Sequence, residues 1–223
     1  MLVNSLNFSA TGARNNQLDR IGYFKGENWS VAYILDGLVE LTPHFVDCVD
    51  SNLKEAFGAL GQSISIKILR DLAIEAISNN IVNEGKASIA LVISVDDQVL
   101  ILTAGDTRVY FLKERTRTID HSRTQELISA GKLNAALLNK NAFRKYLTKR
   151  IYKDMDEIEL EELIHNEVSE GSMYVICSDG FWSGFDNDEE IYDFNVTTLD
   201  SYSDSLSDEN LSDNTSVILL EKG

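Results

Sequence analysis

Apolar runs that end on an acid restrict the folds open to this chain more than any other feature. The stretch Met173-Tyr-Val-Ile-Cys-Ser-Asp-Gly180 reads as a buried strand that delivers an acid and a glycine at its carboxyl end. Val31-Ala-Tyr-Ile-Leu-Asp-Gly37 and Val99-Leu-Ile-Leu-Thr-Ala-Gly-Asp106 end the same way, and Ser212-Asp-Asn-Thr-Ser-Val-Ile-Leu-Leu220 has the order turned round. The recurring device is a carboxylate at the end of an apolar strand, and it makes Asp179 a candidate metal ligand.

With 223 residues and 43% hydrophobic content, the chain can build one sizeable core, and a single domain over residues 1–223 is expected. A formal net charge of −16 argues against general binding to nucleic acid or to an anionic membrane surface, because the mean field repels both. Cys48 and Cys177 lie far apart, with no spacing that suggests zinc, and are expected in the core. No basic segment followed by an apolar one opens the chain, and no apolar run approaches the roughly 18 to 20 residues of a membrane helix, so a cytoplasmic protein is expected.

Along the chain, residues 2–9 alternate loosely as a strand does, a polar loop covers 11–20, and Lys25-Gly-Glu-Asn28 reads as a hairpin turn before the strand from Trp29. Thr42 and Pro43 form a helix start, followed by Phe45, Val46, Val49, Leu53, Ala56 and Phe57 at helical intervals. A second helix is expected over about 63–80. Three apolar runs, 87–95, 98–104 and 107–113, suggest an antiparallel meander. A short helix from Arg123 stops at Gly131, with more helical sequence through Leu138 and over 142–151 and a strand near 158–160. An acidic surface helix follows in the segment 195–212, before a closing strand from Thr215. This order predicts an α+β fold, a four-layer α-β-β-α sandwich of two antiparallel sheets flanked by helices.

Phosphoryl chemistry at two metals needs several acidic oxygens on rigid elements, one of them bridging ions roughly 3.5 to 4 Å apart. Asp36, Asp179 and Asp213 meet that need by context, and Mg or Mn prefers such oxygen donors. Gly37 and Gly180 beside the acids permit tight turns. Taken singly, Asp-Gly after a strand is an ordinary turn signal, and Asp106 adds a fourth instance.

The surrounding residues carry more information when read in order: Arg14-Asn-Asn-Gln-Leu-Asp19, Leu35-Asp-Gly37, Gly85-Lys-Ala-Ser-Ile-Ala90, Ala104-Gly-Asp-Thr-Arg108, Asp120-His-Ser122, Cys177-Ser-Asp-Gly-Phe-Trp182 and Asp213-Asn-Thr-Ser-Val217. In this series the chain resembles the metal-dependent protein phosphatase 2C (PPM) family, whose motifs run Arg-x-x-Asn-Gln/Glu-Asp, Asp-Gly-x-Gly-Gly, Gly-Ser-Thr-Ala, Gly-Asp-Ser-Arg, Asp-His-Ser, Ser-Asp-Gly-Leu-Trp and Asp-Asn-x-Thr. The resemblance spans nearly the whole chain, from Gly12 to Leu219. Gln125-Glu-Leu-Ile-Ser-Ala-Gly131 and Tyr146-Leu-Thr-Lys149 are similar to segments of bacterial members.

This resemblance implies a protein serine/threonine phosphatase with two Mn2+ or Mg2+ ions. Asp36 would bridge them with the Gly37 carbonyl on one, Asp179 and Asp213 would bind the other, and Asp19 would act through metal-bound water. Arg14 would hold the substrate phosphate, and a metal-activated water would attack phosphorus in line, so that Asp36 and Asp179 are catalytic through the metals. The implied partners are phosphorylated proteins and a cognate Ser/Thr kinase system, with a monomer as the acting species. An alternative is a phosphatase-fold module of weak or absent activity that binds phosphorylated partners or a kinase.

The chain departs from the family pattern at several points. Leu18 replaces an outer acid or amide, Leu38-Val39-Glu40 replaces the flexible glycines after Gly37, and Ala87 replaces a threonine. Glu40 either supplies a compensating carboxylate or faces solvent. Ser183 stands where an acid for a third metal is often found, so a third ion near Asp106 is expected to bind weakly or not at all. His121 is read as a loop-orienting residue, and His44 and His165 as surface residues. Arg144, Lys145, Lys149, Arg150 and Lys153 form the one basic cluster, read as a solvated helix face or as a dock for a phosphorylated or acidic partner.

Overall fold

A computed structural model of the chain describes residues 1–38, 43–79, 83–153, 155 and 158–223. In chain order these form β1 (Leu2–Ala10), β2 (Arg20–Lys25), β3 (Trp29–Gly37), α1 (Pro43–Gly58), α2 (Ile66–Ser78), β4 (Lys86–Val95), β5 (Gln98–Ala104), β6 (Arg108–Phe111) and β7 (Thr116–Arg117). They continue with α3 (Arg123–Ser129), β8 (Ile151–Tyr152), β9 (Glu161–His165), β10 (Met173–Cys177), α4 (Asp179–Trp182), α5 (Glu189–Tyr192), α6 (Val196–Ser205) and β11 (Thr215–Lys222). One sheet runs β1-β11-β10-β6-β7 and the other β2-β3-β4-β5-β9, with β8 added to β4. The result is the expected α+β sandwich of two antiparallel sheets flanked by helices.

Side-chain alternation explains the layering, because successive residues of a strand face opposite sides. Val31, Tyr33 and Leu35 of β3 join Phe45, Val49 and Leu53 of α1 and Leu69 and Ile77 of α2 in one core. On the other face of β3, Ala32 and Ile34 meet Ile176 of β10 and Ile218 of β11 between the sheets. Beyond the second sheet, Val175, Cys177, Val217 and Leu219 pack on Phe181, Ile191 and Leu199 of α4, α5 and α6. The inner strands are thus covered on both faces, which is why they read as continuous apolar runs. At about 1.5 to 3 kcal/mol for each fully buried large apolar side chain, these three cores are the main favourable term in folding.

Local chemistry sets the helix ends. Leu53 and Phe57 of α1 are buried one turn apart, although the expected cap Thr42 lies outside the described residues. Asn195 and Thr198 form a reciprocal capping box at the start of α6.

Several expectations need correction. β4 and β5 pair as a hairpin, but β6 pairs with β10 in the other sheet, so the three runs are not one meander. Gly105, with φ of 108°, turns the chain between the sheets. The sequence from Lys132 to Arg150 forms only two 3-10 turns, Ala135–Leu137 and Ala142–Lys145, rather than helices. Its larger apolar residues Leu137, Phe143 and Tyr146 are exposed, so no apolar stripe is available to dock a helix. The strand expected near 158–160 begins at Glu161. His165 is half-buried, 4.6 Å from the Phe111 ring, instead of lying free on the surface. Cys177 is buried and Cys48 half-buried, and no disulfide joins them.

Candidate active site

Antiparallel pairing places the carboxyl end of β3 beside the amino ends of β2 and β4, and the carboxyl end of β10 beside the amino end of β11. A pocket of about 440 Å³ lies at these ends, lined among others by Asp36, Asp106, Asp179, Asp213 and Arg14. Asp36 shares the parity of Ala32 and Ile34, the face turned toward the other sheet. Asp19 immediately precedes β2, Asp179 opens α4, and Asp213 stands two residues ahead of β11. Five acids that are far apart in sequence thus meet at one end of the sandwich.

Asn214 ties two of them together. Its Oδ1 accepts a hydrogen bond from the Leu18 N–H at 2.9 Å, and its Nδ2 donates to the Thr11 and Asn16 carbonyls at 2.8 and 3.0 Å. The loop carrying Asp19 is thereby fastened to the strand that follows Asp213. Gly180 closes the same junction from the other side: a Cβ there would stand 1.9 Å from the Asn214 carbonyl oxygen. Close approach, rather than the turn geometry expected from sequence, explains this glycine. At Gly37 a Cβ would meet Leu18 Cβ at 2.9 Å, so Leu18 is packed against the carboxyl end of β3. Ser88, in register with Asp36, accepts from the Asp106 and Thr107 N–H groups at 2.9 and 2.7 Å.

Burial and mutual repulsion set the electrostatics. Asp19 is 3% exposed, and neither of its carboxylate oxygens receives a hydrogen bond. The nearby Ser178 Oγ instead accepts from the Ser216 N–H, and Ser216 Oγ pairs with Ser9 Oγ. Burial pushes the Asp19 carboxyl up to about 7, the Ser178 and Ser216 hydroxyls pull it back only in part, and Asp179 and Asp213 raise it further. Burial also drives Asp36 well above the carboxylate range, helped by Asp19, Asp179, Asp106 and Asp213. Asp106 is raised in the same way, by burial first and then by Asp179 and Asp120.

Two arginines answer part of this negative charge. Arg14 Nη2 lies 2.7 Å from Asp213 Oδ2, with its side chain 39% exposed. Arg144 Nη1 lies 2.7 Å from Asp179 Oδ2 and stands over the Trp182 ring at 4.9 Å. Beneath them Arg108 is fully buried, paired with Asp120 through Nε and Nη2 at 2.8 and 2.7 Å and stacked on Trp182 at 3.5 Å. Trp182 Nε1 donates to the Asp106 carbonyl at 2.9 Å, so this layer supports the acids from below.

The structure brings Arg14, Asp36, Gly37, Asp106, Asp179 and Asp213 to one pocket, with buried Asp19 beside them. Glu40 lies outside the described residues. Ser183 caps the end of α4, its N–H donating to the Asp179 carbonyl at 3.0 Å. His121 accepts or donates at Gly105 and pairs with Glu161 at 2.8 Å, in keeping with its expected role in a loop. Arg144 and Asn214 were not foreseen in their roles. The basic cluster pointed to Arg144, and the Asp-Asn-x-Thr match marked Asn214 without telling what its side chain holds.

The donor set fits divalent ions, and the partnerless buried oxygens of Asp19 are the observation that most asks for them. Among the described residues no three His, Cys, Asp or Glu side chains are arranged as a ready-made cage. The reason is visible in Asp179 and Asp213, each directed at an arginine, so ions compete there with ion pairs.

No protein-family model and no curated protein matches the sequence. Solved structures do match along the whole chain. The Ser/Thr phosphatase Stp1 from Staphylococcus aureus aligns with a TM-score of 0.79 at 19% identity, covering 100% of this chain and 96% of its own. The PPM Ser-Thr phosphatase MsPP from Mycobacterium smegmatis, solved with cacodylate, gives 0.73 at 19%, covering 98% and 97%. The catalytic domain of the phosphatase PstP, solved with two manganese ions, gives 0.72 at 16%, covering 99% and 97%. The chain has the fold of these bacterial PPM phosphatases, in a divergent sequence.

Proposed function

We propose that this chain, built on the PPM phosphatase fold, is a metal-dependent protein phosphatase acting on phosphoserine and phosphothreonine. The observation that carries this reading is the convergence of Asp19, Asp36, Asp179 and Asp213 beside Arg14, with the Asp19 carboxylate buried and unpartnered. Two Mn2+ or Mg2+ ions held by Asp36, the Gly37 carbonyl, Asp179 and Asp213 would supply Lewis-acid charge to the phosphoryl oxygens and lower the pKa of water.

The chain's own groups do the rest. Arg14 is exposed enough to leave Asp213 for a phosphate, to which its guanidinium can donate two parallel hydrogen bonds. Asp19 faces the Ser178 and Ser216 hydroxyls at the inner wall, where it would act through metal-bound water. The Asn214 clamp keeps Asp19 and Asp213 in fixed relation. A third ion at buried Asp106 would bind weakly or not at all, without the acid that Ser183 replaces. Phosphorylated proteins, a cognate Ser/Thr kinase system, a monomeric state and a cytoplasmic setting belong to the same reading. No described helix is long and apolar enough to cross a membrane.

Hydrolysis of a phosphopeptide or of p-nitrophenyl phosphate should depend on Mn or Mg and vanish in Asp36→Ala. Equal rates for wild type and Asp179→Asn with Mn present would overturn the assignment. One observation favours a second reading, a module that binds phosphorylated partners without hydrolysis: arginines already neutralise Asp179 and Asp213. Calorimetry decides between the two, because absence of Mn binding at millimolar concentration selects the second.

A further inference from the structure

We infer that Lys86, Lys145 and Arg150 form an anion subsite next to the acid cluster, one that receives an acidic side chain flanking the phosphorylated residue of a protein substrate. The inference rests on the phosphatase reading and specifies its substrate class. All three residues line the same pocket as Asp36 and Asp179. Lys86 opens β4, in register with Tyr152 of β8, Arg150 immediately precedes β8, and Lys145 ends the 3-10 turn that carries Arg144. The basic cluster therefore lies on a loop at the pocket, not on a helix face.

Lys86, Lys145 and Arg150 meet no carboxylate among the described residues, in a chain with net charge −16. Lysines without a carboxylate partner occur elsewhere among the described residues, Lys25, Lys67 and Lys132 for instance, but exposed arginines are paired, as Arg70 is with Glu162, Arg115 with Glu189 and Arg123 with Glu126. Arg150 is the most telling. Its Nη1 donates to the Leu147 carbonyl at 3.0 Å, while its Nε is buried without a hydrogen-bond partner. A buried guanidinium donor left open in an acidic protein is costly unless an anion arrives to accept from it.

The phosphoryl group has its own cation on a different wall, Arg14 beside Asp213, held by the loop and strand that Asn214 joins. The pocket of about 440 Å³ exceeds what one phosphoryl group needs, and exposed Leu38 and Tyr146 line it as apolar contacts for a peptide. A peptide that places Asp or Glu near its phosphorylated residue satisfies both walls at once. A neutral peptide leaves the second wall unpaired. The carboxylates around the metals select against a substrate that sends its acid elsewhere, so the subsite also fixes the direction in which the peptide lies.

The test uses the full chain with Mn and two labelled peptides bearing a non-hydrolysable phosphonate analogue of phosphoserine, alike except for Asp or Asn flanks. Fluorescence anisotropy at low salt should show the Asp-flanked peptide binding about tenfold tighter, as two or three partly exposed ion pairs imply. The preference should shrink with added salt as the Debye length falls. In the double variant Lys86→Gln/Lys145→Gln, which leaves half-buried Arg150 in place, it should fall to about threefold or less, and adding Arg150→Gln should remove it. Equal binding of the two peptides to wild type, an undiminished preference in the double variant, or no binding of either peptide overturns the inference. Wild-type hydrolysis of p-nitrophenyl phosphate, which has no flanks, reports separately on the phosphatase reading. A flank preference without hydrolysis keeps the subsite and rejects the enzyme.

Discussion

Gly180→Ala places a single methyl group at the junction of Asp179 and Asp213. In an ordinary helical position, alanine in place of glycine is favourable by about 1 kcal/mol. Here the added Cβ would stand 1.9 Å from the Asn214 carbonyl oxygen and 2.9 Å from Thr215 Oγ1. The carbonyl has to retreat by about 1 Å to reach even a tight van der Waals contact. It is not free to do so, because the Asn214 side chain is held by the Leu18 N–H and the Thr11 and Asn16 carbonyls. Overpacking of this kind costs about 1 to 3 kcal/mol, which exceeds the helical gain and sets the sign of the net effect. Urea denaturation should therefore show a net loss of up to about 2 kcal/mol with an unchanged m-value. If the backbone yields instead, Asp213 shifts relative to Asp179, and a displacement near 1 Å at a reacting centre costs about a hundredfold in turnover. Stability and Mn-dependent turnover both within error of wild type would refute the proposed close approach.

Asp19→Asn should stabilise the metal-free protein by about 1 to 3 kcal/mol, because it removes a buried charge with no partner, while weakening Mn binding. Denaturation in a chelator checks the first effect and calorimetry the second. Arg108→Met should cost about 3 to 5 kcal/mol, since it leaves fully buried Asp120 without its bidentate partner. A loss below about 1 kcal/mol by denaturation would show that Arg117, whose Nη1 lies 3.2 Å from Asp120 Oδ1, suffices as its partner. Burial opposes ionisation of Asp188, but Arg117 and Arg108 outweigh it and hold its carboxyl below the ordinary value. A depressed folded pKa contributes stability above the unfolded value of about 4 and loses it as pH falls below that value. Wild type should lose stability on acidification through that window more steeply than Asp188→Asn, as urea midpoints measured from pH 6 to 3 would show.

The strands were legible because the inner ones are covered on both faces, and continuous apolar runs bounded by glycine and acid have few other uses. Their partners were less so. β6 follows β5 after a three-residue turn yet belongs to the other sheet, and periodicity contains no information about which strand a given strand will meet. Residues 132–150 carry apolar residues at helical intervals, but Leu137, Phe143 and Tyr146 stay exposed instead of docking on a core, so propensity alone did not hold a helix. At the site, Asp36, Asp106, Asp179 and Asp213 stand where strand ends put them. The pairing of Arg144 with Asp179 spans 35 residues, and the Asn214 clamp about 200, and such contacts exist only once the sandwich is closed. Gly180 was read correctly as special and for the wrong reason, because a close approach leaves no trace in the local sequence.

The position of β11 has a consequence during synthesis. The last of the described strands in chain order, it lies inside its sheet, between β1 and β10, and carries Asp213 and Asn214 at its entrance. Until it is made, both neighbours present open edges, and the nascent chain is exposed to edge-to-edge association when it is least protected. The same order delays acquisition of the acid site. A partly made chain has Asp19, Asp36 and Asp179 but neither the fourth acid nor the clamp, so a ribosome-stalled product ending before Asp213 should lack the complete acid site and be prone to aggregate.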